Sequence, residues 1–191
     1  EKLMKAISKS LKKNDPNHLN LGIRYGYIEQ LDDELLRISK ESFDALSFNC
    51  YALSPDHEKM NHALEISGLP MIIGEYHFGT VDRGLAQSLW QVNSQKERGD
   101  AFRYYTENAF AHRGLIGTGW FRWIDQNING RTDGENYNCG FIDVTDRPYP
   151  YMVDAAIKTA KSLYEIHSGT KTPFHQAPNA VGHSPIPDLW E

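Results

Sequence analysis

Pro70-Met71-Ile72-Ile73-Gly74-Glu75-Tyr76-His77-Phe78-Gly79 is the stretch on which the reading of this chain turns. A short, near-continuous apolar run is the signature of a strand in a parallel sheet covered on both faces. This one ends in a carboxylate, Glu75, with Gly74 before it and Gly79 four residues on. Two readings are open. Glu75 is a catalytic group at the C-terminal end of a strand, or it is a strand-end charge paired with a nearby Arg and chemically idle.

Working outward, the same alternation of short apolar runs and helical periodicity recurs. Leu3, Ile7 and Leu11 lie at i, i+4 and i+8 and predict an amphipathic helix over 2–13, stopped by Asn14-Asp15-Pro16-Asn17. His18 to Gly26 alternates like a strand. A second helix opens at Leu31-Asp32-Asp33, with an Asp as cap. Phe43 to Tyr51 reads as a strand and 57–67 as a helix capped by Gly68, and Pro70 to Glu75 follows as the third strand. A long helical region is expected over 87–112, broken or kinked between Val92 and Gly99. Leu115 to Trp123 is the fourth strand. The polar stretch from Asp125 to Asn138 is a loop long enough to expect a function of it. Gly140 to Val144 reads as a short extra strand or extended segment, and Pro150 to His167 as the last helix. The two expected regions are 1–169, a folded domain, and 170–191, a Pro-rich tail or linker that could pack through Phe174 and Trp190.

Composition supports a packed core: 40% of the 191 residues are hydrophobic and 24% charged. A net charge of −5 with no basic cluster beyond Lys12-Lys13 argues against nucleic-acid binding. No run has the length of a membrane span, and the first residues read as the middle of a helix rather than a signal peptide. Cys50 and Cys139 make no disulfide framework and have no metal-ligand neighbour at short spacing, so both are expected as free thiols. No metal and no cofactor is expected.

A helix followed by four strand-helix units means α/β architecture with parallel strands and helices outside. A closed (β/α)8 TIM barrel takes about 250 residues, and this chain has too few strands to close one. Four strands would leave raw edges and an uncovered inner face. The expected fold is therefore the C-terminal half of such a barrel, about strands five to eight, completed by an N-terminal half from the same protein or by another chain. An open doubly wound sheet is the alternative, but no Gly-rich phosphate loop follows the first strand.

Read as strands five to eight, the strand ends bring Arg24-Tyr25, Asn49-Cys50-Tyr51, Glu75-Tyr76-His77 and Trp120-Phe121-Arg122-Trp123 to one end of the sheet. Carboxylates, amides and aromatic faces are what sugar sites are built from. A carboxylate in such a site can attack the anomeric carbon and form a covalent glycosyl-enzyme.

At these residues the sequence resembles the retaining glycoside hydrolases of clan A. More narrowly it resembles the β-agarase family, glycoside hydrolase family 50. The resemblance rests on Ile73 to Gly79 with Asp82-Arg83-Gly84, and on Trp120-Phe121 followed by Asp125-Gln126, Gly130-Arg131, Asp133-Gly134-Glu135-Asn136-Tyr137 and Gly140-Phe141. Asp146-Arg147-Pro148-Tyr149-Pro150 fits as well. It implies Glu75 as nucleophile, Tyr51 as a hydrogen-bonding neighbour of that carboxylate, and Trp120 as the platform under the cleaved sugar. The candidate substrate-binding set is Arg24, Asn49, Tyr51, His77, Trp120, Trp123, Gln126, Asp133, Glu135 and Asn136. The substrate implied is a β-galactosidic polysaccharide of algal type such as agarose, and the location implied is secreted, periplasmic or cell-surface.

Each residue also has a plainer reading. Trp120 and Trp123 could be core, His77 a satisfied structural histidine, and Asp133 to Asn136 a self-capping turn. Asp125 could cap a helix or turn, and Arg24 could serve only to pair with Glu75. Retaining hydrolysis also needs a second carboxyl group as acid/base, about 5–5.5 Å from the first. In clan A it follows an Asn at the end of strand four, and no Asn-Glu pair occurs in this chain. The acid/base is therefore expected in the N-terminal half, and the chain alone is expected to be inactive. The competing function is a non-catalytic carbohydrate-binding or degenerate barrel.

Overall fold

The computed structural model describes residues 1–183. In chain order these form α1 (Lys2–Asn14), β1 (Arg24–Tyr25), a 3-10 turn (Ile28–Gln30), α2 (Asp33–Ser42), β2 (Leu46–Asn49), α3 (His57–Ser67) and β3 (Met71–Tyr76). They continue with β4 (Trp90–Gln91), α4 (Gln95–Phe110), β5 (Leu115–Trp120), α5 (Pro150–His167) and β6 (Val181–Gly182). The chain divides into two compact units. One holds Glu1–Cys50, Asp56–Glu75 and His112–Gly119; the other holds Tyr51–Pro55, Tyr76–Ala111 and the chain from Trp120 onward.

The first unit carries the sheet, in the order β1-β2-β3-β5. β1 pairs with β2 and β2 with β3, both in parallel, so the α/β architecture with a parallel sheet stands. Leu46, Phe48, Met71, Ile73 and Leu115 are all fully buried. On the strand positions between them, Ile72 is half-buried and Ile116 is 52% exposed. The helices start where short polar side chains reach their free N–H groups. Asp32 Oδ1 accepts from Leu35 N at 2.7 Å, and Asp56 Oδ1 from Glu58 N at 2.9 Å. Gly68, at φ 67°, ends α3 in the left-handed conformation, as its sequence position predicts.

One expectation in this unit is corrected. The strand expected over 18–26 shrinks to Arg24–Tyr25. Asn20 turns the chain by accepting from Gly22 N at 3.0 Å, and Gly22 takes φ 72° with the Phe43 ring packed where a side chain would stand. The amphipathic helix expected over 2–13 forms as α1; its stripe Leu3, Ile7 and Leu11 is 71%, 47% and 47% exposed, and Ser8 is the buried residue of that helix.

In the second unit α4 packs along α5. The break expected between Val92 and Gly99 falls at Ser94, the extended residue before α4, while α4 runs unbroken through Gly99 itself. Gly99 is there because a Cβ would stand 2.6 Å from the Tyr151 carbonyl oxygen, so it lets the two helices approach. The helical region does not begin at 87 but at Gln95. Ser94 caps it by accepting from Glu97 N, and Glu97 reaches back to Asn93 N at 3.0 Å. Upstream of that cap, Trp90–Gln91 is extended and pairs antiparallel with Val181–Gly182.

In the segment after residue 170 the packing expected through Phe174 is present. Phe174 N donates to Glu107 Oε2 at 2.8 Å, Asn108 Nδ2 donates to the Phe174 carbonyl, and Arg103 lies over the Phe174 ring at 4.4 Å. The packing expected of Trp190 lies outside the described residues. Gly140 to Val144 is the extended segment rather than the strand: among the described residues Ile142 makes single bridges, to Ile124 and to Pro148. Among the described residues no helix is long and apolar enough to cross a membrane.

Candidate active site

Glu75 stands at the C-terminal end of β3 with a charge and an amide from the two preceding strands on it. Arg24 Nη2, from β1, lies 2.8 Å from Glu75 Oε1. Asn49 Nδ2, from β2, donates to Glu75 Oε2 at 3.1 Å. The Glu75 side chain is 17% exposed and that of Arg24 52%. The backbone joins in, since Cys50 N donates to the Glu75 carbonyl at 2.9 Å. Each carboxylate oxygen thus has a donor, and the group stands fixed at the strand end.

The pairing of β2 with β3 explains its aim. Phe48 is opposite Ile73 and Asn49 opposite Glu75, so Gly74 is an extra residue, a β-bulge. Simple alternation would put Glu75 on the face of Met71 and Ile73, which is fully buried. The bulge moves it to the other face, opposite Asn49, and returns Tyr76 to the buried side at 1% exposure. Asn49 Oδ1 is itself buried and without a hydrogen-bond partner. With its Nδ2 on Glu75, Asn49 holds the carboxylate in place.

In the second unit the remaining candidates fall into separate groups. Tyr51 is buried with its ring edge-on to His77, centroids 4.9 Å apart. His77 is 1% exposed. Its Nδ1 faces the Phe121 carbonyl oxygen at 3.0 Å and its Nε2 accepts from Leu89 N at 3.1 Å. Both ring nitrogens are spent on backbone, so no polar atom remains for a sugar hydroxyl. The expectation that His77 binds substrate gives way to a structural role. Burial pushes its pKa down to about 3, against the opposing pull of the Phe121 carbonyl and with help from the Arg98 charge.

Trp120 is half-buried, donates from Nε1 to the Cys139 carbonyl at 2.6 Å, and meets Tyr76, Phe102 and Phe141 edge-on. Trp123 is 69% exposed and lies nearly flat on Phe141, centroids 5.9 Å apart, so its outer face is open to stack on a flat ligand. The peptide bond between Phe121 and Arg122 is cis.

In the loop from Asp125 to Asn138, Gln126 is fully buried. It accepts from Tyr137 N and donates to Glu135 Oε2, each at 2.7 Å. Both ends of its amide thus clamp the loop. Glu135 also lies 3.3 Å from Arg131. Asp133 accepts from Glu135 N and pairs with Arg131, and these donors hold its carboxyl below the usual carboxylate range. Asn136 ties the loop to Ala86, accepting from its N–H at 3.3 Å. Asp133, Glu135 and Asn136 therefore form a self-braced loop.

Sequence reasoning missed the buried network beneath that loop. Asp125 is no cap. It accepts from Tyr149 Oη at 2.6 Å, from Asn138 Nδ2 at 2.9 Å and from Gly140 N at 2.6 Å. Arg98, fully buried on α4, donates to Asn138 Oδ1 at 2.9 Å and to the Gly140 carbonyl, and its guanidinium lies 4.7 Å from the centre of the Tyr149 ring. Burial and the bond to Asp125 push the Tyr149 hydroxyl well above its ordinary value, and burial with the Asp125 charge pushes the Cys139 thiol up to about 12. Cys139 and Cys50 are both buried and neither is in a disulfide. The one sequence signal was a lone Arg at position 98, on what proves to be the buried face of α4.

No protein-family model matches the chain. It is 37% identical over 165 residues to β-agarase A of Vibrio sp. (strain JT0107), an alignment covering 83% of this chain and 16% of that protein. Among solved structures, the agarase AgWH50C superposes with a TM-score of 0.81 at 36% identity, over 86% of this chain and 26% of its own. PfGH50B superposes with a TM-score of 0.82 at 36% identity, over 87% of this chain and 24% of its own. The chain thus spans about a sixth of the curated relative and about a quarter of the solved chains. The resemblance to β-agarases read from the strand-end motifs holds across most of the chain.

Proposed function

We propose that this chain is the C-terminal half of the (β/α)8 barrel of a retaining glycoside hydrolase that cleaves β-galactosidic bonds in an agarose-type polysaccharide. The observation that carries the reading is the Glu75 carboxylate at the end of β3, with Arg24 on one oxygen and Asn49 on the other. In the proposed reaction one Glu75 oxygen attacks the anomeric carbon as the glycosidic bond breaks, and water then hydrolyses the glycosyl-enzyme ester. The leaving oxygen takes its proton from an acid/base carboxyl of the other half-barrel. Glu135 is not assigned that role, because an amide N–H and a guanidinium already occupy it. Trp120 and Trp123 are proposed as the sugar-stacking faces, and Asp133, Glu135 and Asn136 as a braced loop near substrate.

Three features support the half-barrel part of this reading. One face of the sheet is fully buried, the other leaves Ile116 half in solvent, and the similar proteins are several times longer. The similarity to β-agarases supports the substrate class.

The test uses the complete protein that carries this chain, assayed on agarose, porphyran and plain β-galactans, with products analysed for anomeric configuration. Glu75→Gly should lower kcat by several orders of magnitude, and azide should restore turnover through a glycosyl azide of inverted configuration. Full activity in Glu75→Gly, or inversion in the wild-type products, would refute the proposal. A carbohydrate-binding protein without catalysis would bind these glycans and release no product with Glu75 intact.

A further inference from the structure

We propose that Gly74 and Arg24 together form a positioning device for Glu75, in which the absent side chain of residue 74 is the seat of the Arg24 stem. The inference rests on the reading of Glu75 as nucleophile and adds how that group is aimed. Gly74 is the extra residue of the bulge. Its backbone is not in the left-handed region, so the conformation alone does not call for glycine.

The neighbours do call for it. A Cβ on residue 74 would overlap Arg24 Cδ, stand 3.1 Å from Arg24 Cγ and 3.3 Å from Asn49 Oδ1. Arg24 Cδ carries the guanidinium that reaches Glu75 Oε1 at 2.8 Å. Displacing it swings that cation away, and because the Arg24 side chain is half-exposed it has solvent to swing into. A single methyl group at 74 should therefore undo the ion pair while leaving Glu75 in the chain. Asn49 would still donate to the other carboxylate oxygen.

The experiment is a double-mutant cycle in the complete protein, measuring kcat and KM on agarose oligosaccharides. Gly74→Ala and Arg24→Ala should each lower kcat by about 10–100-fold with KM changed less than about threefold, the cost of a misaimed reacting group. The double variant should lie within about threefold of Arg24→Ala alone, because the second change removes an interaction already lost. Arg24→Met keeps the stem and lacks the guanidinium, and should match Arg24→Ala. If Gly74→Ala does not fold, adding Arg24→Ala should restore folding, since it removes the overlap with the stem and leaves only the milder 3.3 Å approach to Asn49 Oδ1. Additive losses in the cycle, an active Arg24→Met, or a double variant that stays unfolded would overturn the inference. Glu75→Gly runs alongside: if it keeps full activity, the nucleophile reading fails first, and that failure is distinct from additivity in the cycle.

Discussion

Acidification should destabilise the second unit through one side chain, His77. In the folded protein its Nδ1 donates to the Phe121 carbonyl and its Nε2 accepts from Leu89 N–H. A proton added to Nε2 would confront that N–H donor inside a site that is 1% exposed. The folded pKa is accordingly about 3, against 6.5 for an unperturbed histidine. The sign follows from proton counting. Between these two values the unfolded chain binds a proton that the folded chain refuses, so stability falls as pH falls. The contribution is fully present above pH 6.5 and shrinks progressively toward pH 3. Going from pH 7 to pH 5 costs about 2 kcal/mol from this group alone, at 1.36 kcal/mol per pH unit of separation.

Urea unfolding at pH 7 and pH 5, followed by tryptophan fluorescence, measures it. With a urea slope of about 1–3 kcal/mol per molar, 2 kcal/mol moves the midpoint by about 1 M. His77→Gln keeps one donor and one acceptor and does not titrate. It should be less stable at pH 7 but should lose about 2 kcal/mol less than wild type on going to pH 5. Equal losses in the two proteins would refute the assignment of His77 as a neutral, backbone-bridging residue.

Two further outcomes follow from packing. Gly99→Ala should destabilise by about 1–3 kcal/mol in chemical denaturation, because the methyl group meets the Tyr151 carbonyl at 2.6 Å; the gain of about 1 kcal/mol in helix propensity is the smaller effect. A stabilised Gly99→Ala would show that α4 and α5 can move apart freely. Arg98→Leu should cost about 3–5 kcal/mol, since it strips donors from Asn138 and Gly140 and leaves Asp125 buried without its cation, and a thermal midpoint unchanged within error would contradict that.

Much of the fold was legible because its signals are local. The apolar run ending at Glu75, the Asp32 cap, Gly68 after α3 and the periodicity of α5 all act within a few residues of themselves. What failed was decided by partners far along the chain. Gly99 reads as a helix breaker until Tyr151 stands against it. Residues 181–182 show no period of their own and become a strand because Trp90–Gln91 offers an edge. His77 and Gln126 carry side chains suited to binding sugar, yet backbone groups 12 and 44 residues from His77 engage both its ring nitrogens, and the Tyr137 N–H and the Glu135 carboxylate, 11 and 9 residues on, engage Gln126.

The candidate site divides along the same line. Composition and order by themselves determined that a parallel strand ends in Glu75, that an Arg stands at the end of a strand two before it, and that Trp120 ends the strand after it. Which face Glu75 presents was beyond the sequence, because side-chain direction alternates and a single extra residue reverses it. That extra residue is Gly74, and it is extra only relative to the Phe48–Asn49 step of the neighbouring strand. Tertiary pairing therefore set the aim of the carboxylate, and the empty position at Gly74 let Arg24 reach it.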